Sequence, residues 1–377
     1  MTIGIPPLWA TNDNYSSGPD SGTPTKVDPS SDANGFIRGT IAAPQHINFL
    51  IGLLASGSRA LLPGVALSMR SIATSITNTR ALALASSASI ANVIAFPLNE
   101  ARSLRPAEGT TVILGDTGGS LFRGVAADNA SLLGRIAGVS NASAPLHYSD
   151  DGGVTWTFVA AADCFGANPG LDIAHNNTLW MAICEASTNA IFSSPTAEAS
   201  DWTSRSLGGT AGDAPKRLCS SRTTGRSLCL GNNAGVTAMF MAESANGITW
   251  SPVTLPGTAD DVGGSLAWHP DGFFLWAQKV LAGGGMKLYR SSDVGSASWT
   301  LVFQSVRPMT EVSIDQITGA VYLAGGGRVG VSFDQGASFH RVRSDITSVA
   351  AVNGLVLGLD TTTDILYASS AQLVSHP

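Results

Sequence analysis

Acidic side chains are the residues of this 377-residue chain best suited to chemistry. Hydrolysis of a glycosidic bond needs two carboxylates about 5–10 Å apart across a cleft, and Asp116, Asp172, Asp260 and Asp261 are the candidates for convergence at the inner ends of neighbouring strands. Aspartates next to turns more commonly hydrogen-bond the local backbone. Six histidines, His46, His147, His175, His269, His340 and His376, are scattered without an HExxH or a Ser/His/Asp context, so solvated or turn roles are expected. Cys164, Cys184, Cys219 and Cys229 show no CxxC spacing, which argues against zinc. Cys219 and Cys229 flank the turn-like run Arg222-Thr223-Thr224-Gly225 and either face each other across a hairpin or are reduced thiols of a protein assembled in a reducing cytosol. Gly283-Gly284-Gly285 and Gly325-Gly326-Gly327 read as turn or bulge glycines, and no phosphate-cradling GxxxxGK[ST] loop occurs. No catalytic residue, metal or cofactor is assigned on this basis.

The elements that position these residues follow from composition. Charged residues make up only 13% of a chain with 42 glycines, which suits a turn-rich sheet protein better than an ion-paired helical one. The net charge of −6 gives no basic footprint for nucleic acid. No apolar run approaches the roughly 20 residues that span a bilayer, and the first residues, with Pro6 and Pro7, lack the basic and apolar regions of a secretory signal.

One stretch recurs. Ser149-Asp150-Asp151-Gly152-Gly153-Val154-Thr155-Trp156 combines backbone-bonding Ser and Asp, a permissive Gly and an aromatic, and reads as a tight turn between two strands. It returns as Ser332 to Phe339, with Asp334 and Gly336 in place, and in worn form as Ser291 to Trp299, with Asp293 and Gly295. Ser244-Ala245-Asn246-Gly247-Ile248-Thr249-Trp250 is a shortened copy, and Ser193 to Trp202 keeps only the serine and the tryptophan. The aromatics recur at roughly 40–50 positions, the length of one small sheet per repeat.

This motif resembles the Asp-box, or BNR repeat, of sialidases, sortilin-like receptors and other β-propellers, where it lies between the third and fourth strands of a blade. The resemblance implies an all-β propeller. Strand pairs flank Asp116-Thr117-Gly118-Gly119, Pro270-Asp271-Gly272 and Asp315 to Gly319, each read as the first hairpin of a unit. Units are expected at 110–160, 165–208, 215–256, 262–305 and 309–343, with a sixth at 346–374 and a seventh at 71–106. Six blades result instead if the first segment supplies one closing strand to the last blade. Closure itself is required, because an open ring exposes strand edges.

The sialidase likeness also implies an Arg-Ile-Pro tripeptide, an arginine triad, a Tyr–Glu pair and an Asp acid. Arg135-Ile136-Ala137 departs from the first, and Tyr148 and Tyr289 precede Asp-box turns near the blade perimeter. Asp151, Asp293 and Asp334 are therefore expected to form turns, and Trp156, Trp202, Trp250 and Trp299 to pack between blades.

Residues 1–43 carry no buriable stripe, and 44–64 hold a short amphipathic helix, Pro44 to Ala55, with Ile47, Leu50, Ile51 and Leu54 on one face. Trp9, Tyr15, the run Ser21-Gly22-Thr23-Pro24-Thr25-Lys26-Val27, then Phe36, Pro44-Gln45 and Asn48-Phe49-Leu50 resemble the amino-terminal segment of certain tailed-bacteriophage tail and tail-fibre proteins. Phe49 and Asn12 replace the Trp and Asp usual there. The resemblance implies a virion protein, assembled in the bacterial cytoplasm. An extended arm (1–43) would attach it to other tail proteins, and a propeller (65–377) would be displayed for host attachment through a surface glycan or protein, most simply as a homotrimer. A virion glycan hydrolase acting on capsule or lipopolysaccharide, and a purely structural tail component, are the alternatives.

Overall fold

The computed structural model describes residues 69–369 except 75–82, 86–92, 96–101, 108–109, 117–121, 129–133, 142–144, 167, 186–188, 211, 234–238, 257–261, 281–283, 353–354 and 361–364. The expected arm (1–43), the expected helix from Pro44 to Ala55 and the residues expected to anchor the chain, Trp9, Tyr15, Thr23, Pro24, Lys26, Val27, Phe36, Ile47 and Leu50, lie outside these, as do Asp260, Asp261, His46 and His376.

Strand β1 (Met69–Thr74) comes first in the chain and belongs to the last sheet. Blade one contains β2 (Ala83–Ala85), β3 (Val93–Ala95), β4 (Arg102–Ala107) and β5 (Thr110–Asp116). Blade two contains β6 (Phe122–Ala127), β7 (Ile136–Ser140), β8 (Leu146–Ser149) and β9 (Thr157–Val159). Blade three contains β10 (Gly170–His175), β11 (Trp180–Cys184), β12 (Ala190–Ser194) and β13 (Thr203–Ser206). Blade four contains β14 (Ala214–Ser220), β15 (Ser227–Asn232), β16 (Met239–Ser244) and β17 (Ser251–Val253). Blade five contains β18 (Val262–His269), β19 (Phe273–Lys279), β20 (Met286–Ser292) and β21 (Thr300–Ser305). Blade six contains β22 (Glu311–Ile314), β23 (Val321–Gly325), β24 (Arg328–Ser332) and β25 (His340–Arg343). Blade seven contains β26 (Ser348–Val352), β27 (Leu355–Asp360), β28 (Ile365–Ser369) and, on its outer edge, β1.

Every strand pairs antiparallel with the next in its blade. The first strands contact one another in the cycle β2, β6, β10, β14, β18, β22, β26 and back to β2. The molecule is a closed seven-bladed β-propeller. Closure is made by β1 against β28, in the register Met69↔Ser369 to Thr74↔Ile365. Residues 71–106 are thus divided: the first strand there completes blade seven, and the others begin blade one. The pair Thr111–Leu114 and Ser120–Val125 is not a hairpin. The first belongs to the outer strand of blade one, and the described part of the second, from Phe122, to the inner strand of blade two.

The core lies between blades. On β19, Phe273, Leu275 and Ala277 pack toward blade six, while Phe274 and Trp276 pack toward blade four. On β11, Trp180, Ala182 and Cys184 meet blade two, while Met181 and Ile183 meet blade four. Side chains alternate across a strand, so a strand covered on both faces reads as a continuous apolar run. This explains Trp-Met-Ala-Ile-Cys and Phe-Phe-Leu-Trp-Ala. Fourth strands such as β13 (Thr-Ser-Arg-Ser) face solvent and stay polar.

Candidate functional site

The turns between third and fourth strands of blades two, four and six share one hydrogen-bond pattern. In blade two, Ser149 Oγ donates to Asp151 Oδ1 at 2.8 Å and accepts from Gly153 N at 2.8 Å, while Asp151 accepts from Val154 N at 3.0 Å and Thr155 N at 2.8 Å. Trp156 Nε1 donates to Gly153 O at 3.2 Å, which lays the indole back over the turn. Burial alone would raise the Asp151 pKa, but the bonds from Thr155, Ser149 and Val154 outweigh it and hold the carboxyl below its ordinary range.

Blade six repeats this with Ser332, Asp334, Gly336 and Ser338, and the Asp334 pKa is lowered in the same way. Phe339 takes the aromatic place and packs on Phe303 of blade five, ring centroids 4.8 Å apart. In blade four, Asn246 Oδ1 accepts from Ile248 N and Thr249 N, both at 2.9 Å, and Trp250 Nε1 donates to Gly247 O at 3.3 Å. Trp250 joins the core between blades three and four, Trp202 packs between two and three, and Trp299 between four and five.

Two worn copies depart from expectation. In blade three the bonding serine is Ser194, which accepts from Thr196 N and Ala197 N; Ser193 instead accepts from Arg205 Nε. In blade five Asp293 does not close its own turn. It is 4% exposed, and its Oδ2 accepts from Ser221 Oγ of blade four at 2.7 Å and from Trp268 Nε1 at 2.9 Å. Ser292, not Ser291, ends β20 as Ser149 ends β8, so Asp293 comes one residue after the strand-end serine rather than two, and a blade-to-blade link replaces the local amides. Gly295, at φ 72, still makes the bend.

Other polar side chains also tie first strands across blades. Asp172 Oδ2 accepts from Leu218 N at 3.0 Å, Glu311 Oε2 from Val349 N at 3.2 Å, and Ser313 Oγ from Ala351 N at 2.8 Å. Ser265 Oγ donates to Thr310 O and accepts from Val312 N. Asp172 is thereby spent on backbone amides rather than poised in a cleft. Arg135 makes a two-pronged bridge to Asp150 at 2.7 and 2.9 Å, reaches Glu198 of blade three at 2.8 Å, and lies 4.2 Å above the Tyr148 ring. His269 stacks on Phe273 at 4.2 Å, accepts from Asp271 N through Nδ1, and meets Gly319 O of blade six at 2.9 Å. Cys219 pairs with Leu228 and Leu218 with Cys229, so the two cysteines point to opposite faces of their hairpin. None of the described cysteines forms a disulfide.

Two concavities lie on the face that carries these turns. A groove of about 580 Å³ runs between blades four and five, lined by Arg226, Glu243, Asn246, Asp293 and Val294. Its charges are mutually satisfied: Arg226 pairs with Glu243 and donates to Ser292 O, and Glu243 also accepts from Ala297 N. A cavity of about 250 Å³ sits at the central axis, lined by the ends of β6, β10, β14, β18, β22 and β26 and by Arg222, His175, Trp268 and Gln316. The run Arg222 to Gly225, read from sequence as a plain turn, thus delivers an arginine to the axis. Nothing in its composition marked that.

No protein-family model matches the chain, and no curated protein matches it. Solved structures do. YCF48 from Cyanidioschyzon merolae superposes with TM-score 0.51 at 13% identity, covering 80% of this chain and 98% of that one. Kuenenia stuttgartiensis hydrazine synthase gives TM-score 0.57 at 9% identity, covering 78% and 96%. An ancestral GH74 enzyme gives TM-score 0.53 at 11% identity, with 79% of this chain matching 48% of that one. At these identities the likeness establishes the propeller fold.

Proposed function

We infer that this propeller is the display domain of a tailed-phage tail protein that attaches to the host surface. Residues 1–43 would join it to other tail proteins. The observation that carries the reading is the way the ring closes. Its polypeptide begins on β1, an outermost strand, so the ring is entered at its perimeter and not at the axis where the cavity lies. Loops on a rigid scaffold can vary for recognition without disturbing the core. The amino-terminal resemblance supplies the virion context, and tail symmetry favours a homotrimer.

The test is to locate the chain in purified particles by immunogold labelling and to measure binding of the full-length protein to the cells that those particles infect. Label on the tail together with saturable binding is expected. Particles lacking the chain would overturn the reading. Release of reducing ends from purified host polysaccharide would favour the hydrolase alternative, and label on the tail without cell binding would favour a structural component.

A further inference from the structure

The axial cavity has unfinished hydrogen bonding and an uncompensated charge. Among the described residues, its ionisable lining groups are Arg222, His175 and Cys219, and no carboxylate lines it. Arg222 is exposed, and the cavity wall beside it lowers its pKa by desolvation. Those two facts agree for a side chain projecting into a narrow lumen. Its guanidinium has no ion-pair or hydrogen-bond partner among the described residues. By contrast Arg135, Arg226 and Arg343 all hold carboxylates.

His175 lies on the same wall, stacked 4.6 Å from Trp180. Its Nδ1 is 3.9 Å from Asp128 Oδ1 and makes no hydrogen bond. Gln316 donates through Nε2 to Trp268 O at 2.9 Å, which leaves its Oε1 buried without a donor. Cys219, pushed up to about 12 by burial, stays a neutral thiol. An unpaired guanidinium on a cavity wall is a two-pronged receptor for an oxyanion. An orphan amide oxygen is a receptor for a hydroxyl. At about 250 Å³ the cavity is smaller than the roughly 300–1,000 Å³ that encloses a drug-sized ligand, which suits a single compact unit.

We propose that the axial cavity on the turn face binds one acidic sugar, with Arg222 gripping its carboxylate and Gln316 Oε1 receiving a hydroxyl. That the sugar belongs to a host polysaccharide rests on the tail reading; the anion site does not.

The experiment is calorimetry and thermal denaturation of the full-length chain with glucuronate, methyl glucoside and inorganic phosphate. Glucuronate binds and raises Tm, as a ligand of the native state must, and the neutral glucoside does neither. Arg222→Gln weakens glucuronate by at least about tenfold, a loss of about 1.4 kcal/mol. Its Tm without ligand is unchanged, because Arg222 is exposed and holds no carboxylate among the described residues. Arg328→Gln, at an arginine of β24 outside the cavity lining, leaves binding intact. Phosphate binding as tightly as glucuronate, with the same loss in Arg222→Gln, would retain the anion site and overturn the sugar assignment. Absence of saturable binding at millimolar ligand, or an Arg222→Gln protein with full affinity and a lowered Tm, would overturn the site. Glucuronate binding without binding to host cells would leave the site standing and remove the host-attachment reading.

Discussion

Removal of the Asp293 carboxylate separates the two roles that one motif position plays in this ring. Asp293→Ala takes away the acceptor for Trp268 Nε1, whose one recorded partner it is, and for the Ser221 hydroxyl. Ser221 Oγ keeps the amides of Thr223 and Thr224, so its loss falls at the low end of the about 1.5–3 kcal/mol for a hydrogen bond to a charged group. The buried indole N–H is left unsatisfied, and together the two losses come to about 3–4 kcal/mol. Asp151→Ala removes more hydrogen bonds but exposes their donors to water, and costs about 1 kcal/mol, like the loss of a helix cap. At about 2 °C per kcal/mol for a large domain, differential scanning fluorimetry should show a fall of about 6–8 °C for Asp293→Ala and about 2 °C for Asp151→Ala. A double-mutant cycle with Trp268→Phe isolates the indole bond and should give a coupling of about 1–2 kcal/mol. Equal losses in the two alanine variants, or coupling below about 0.5 kcal/mol, would show that Asp293 does not join blades four and five.

Truncation tests closure: a chain beginning at Gly64 keeps β1 and should melt cooperatively as a soluble protein, whereas one beginning at Ser75 exposes the β28 edge and should aggregate in sedimentation runs. Gly336→Ala should lower stability by about 1–3 kcal/mol, because φ there is 91° and the new Cβ would sit 2.9 Å from Leu288 Cδ2 of blade five; urea unfolding measures it. Folded Asp151 and Asp334 have lowered pKa values, so their contribution is present above the ordinary 3.8 and is lost as pH falls through their folded values; Asn at both positions should flatten melting curves recorded below about pH 4. Burial lowers the pKa of both His175 and His269. The unfolded chain takes up protons near 6.5 that the native ring refuses, so Tm should also fall as acid is added below that pH.

The second strands were legible in the sequence because both faces are buried, and Phe273 to Ala277 has no polar residue to blur the run. The turns were legible because Ser149, Asp151 and Gly153 act within eight residues. Where the sequence misled, the interaction that decided the structure was distant. Thr111 to Leu114 and Ser120 to Val125 look like a hairpin until the inner strands are seen to cycle around an axis. Asp293 keeps the motif's spelling, but its partners Ser221 and Trp268 lie in other segments. Ser193 and Ser194 differ only in which face of β12 each occupies, and one register step settles that. Arg222 was least visible. Its importance comes from the first-strand ends of five other blades that surround it, and no local pattern records such a meeting.

The pairing of β1 with β28 also fixes how the molecule bears mechanical load. A pull along the chain at Met69 loads β1, an edge strand whose one neighbour in its sheet is β28. Tension along that strand loads its five paired positions in shear, whereas tension across it would peel them from Met69 inward one pair at a time. The seam that completes the circle is therefore its rupture point. How the preceding residues approach β1 determines whether the ring withstands a tug or unrolls from blade seven.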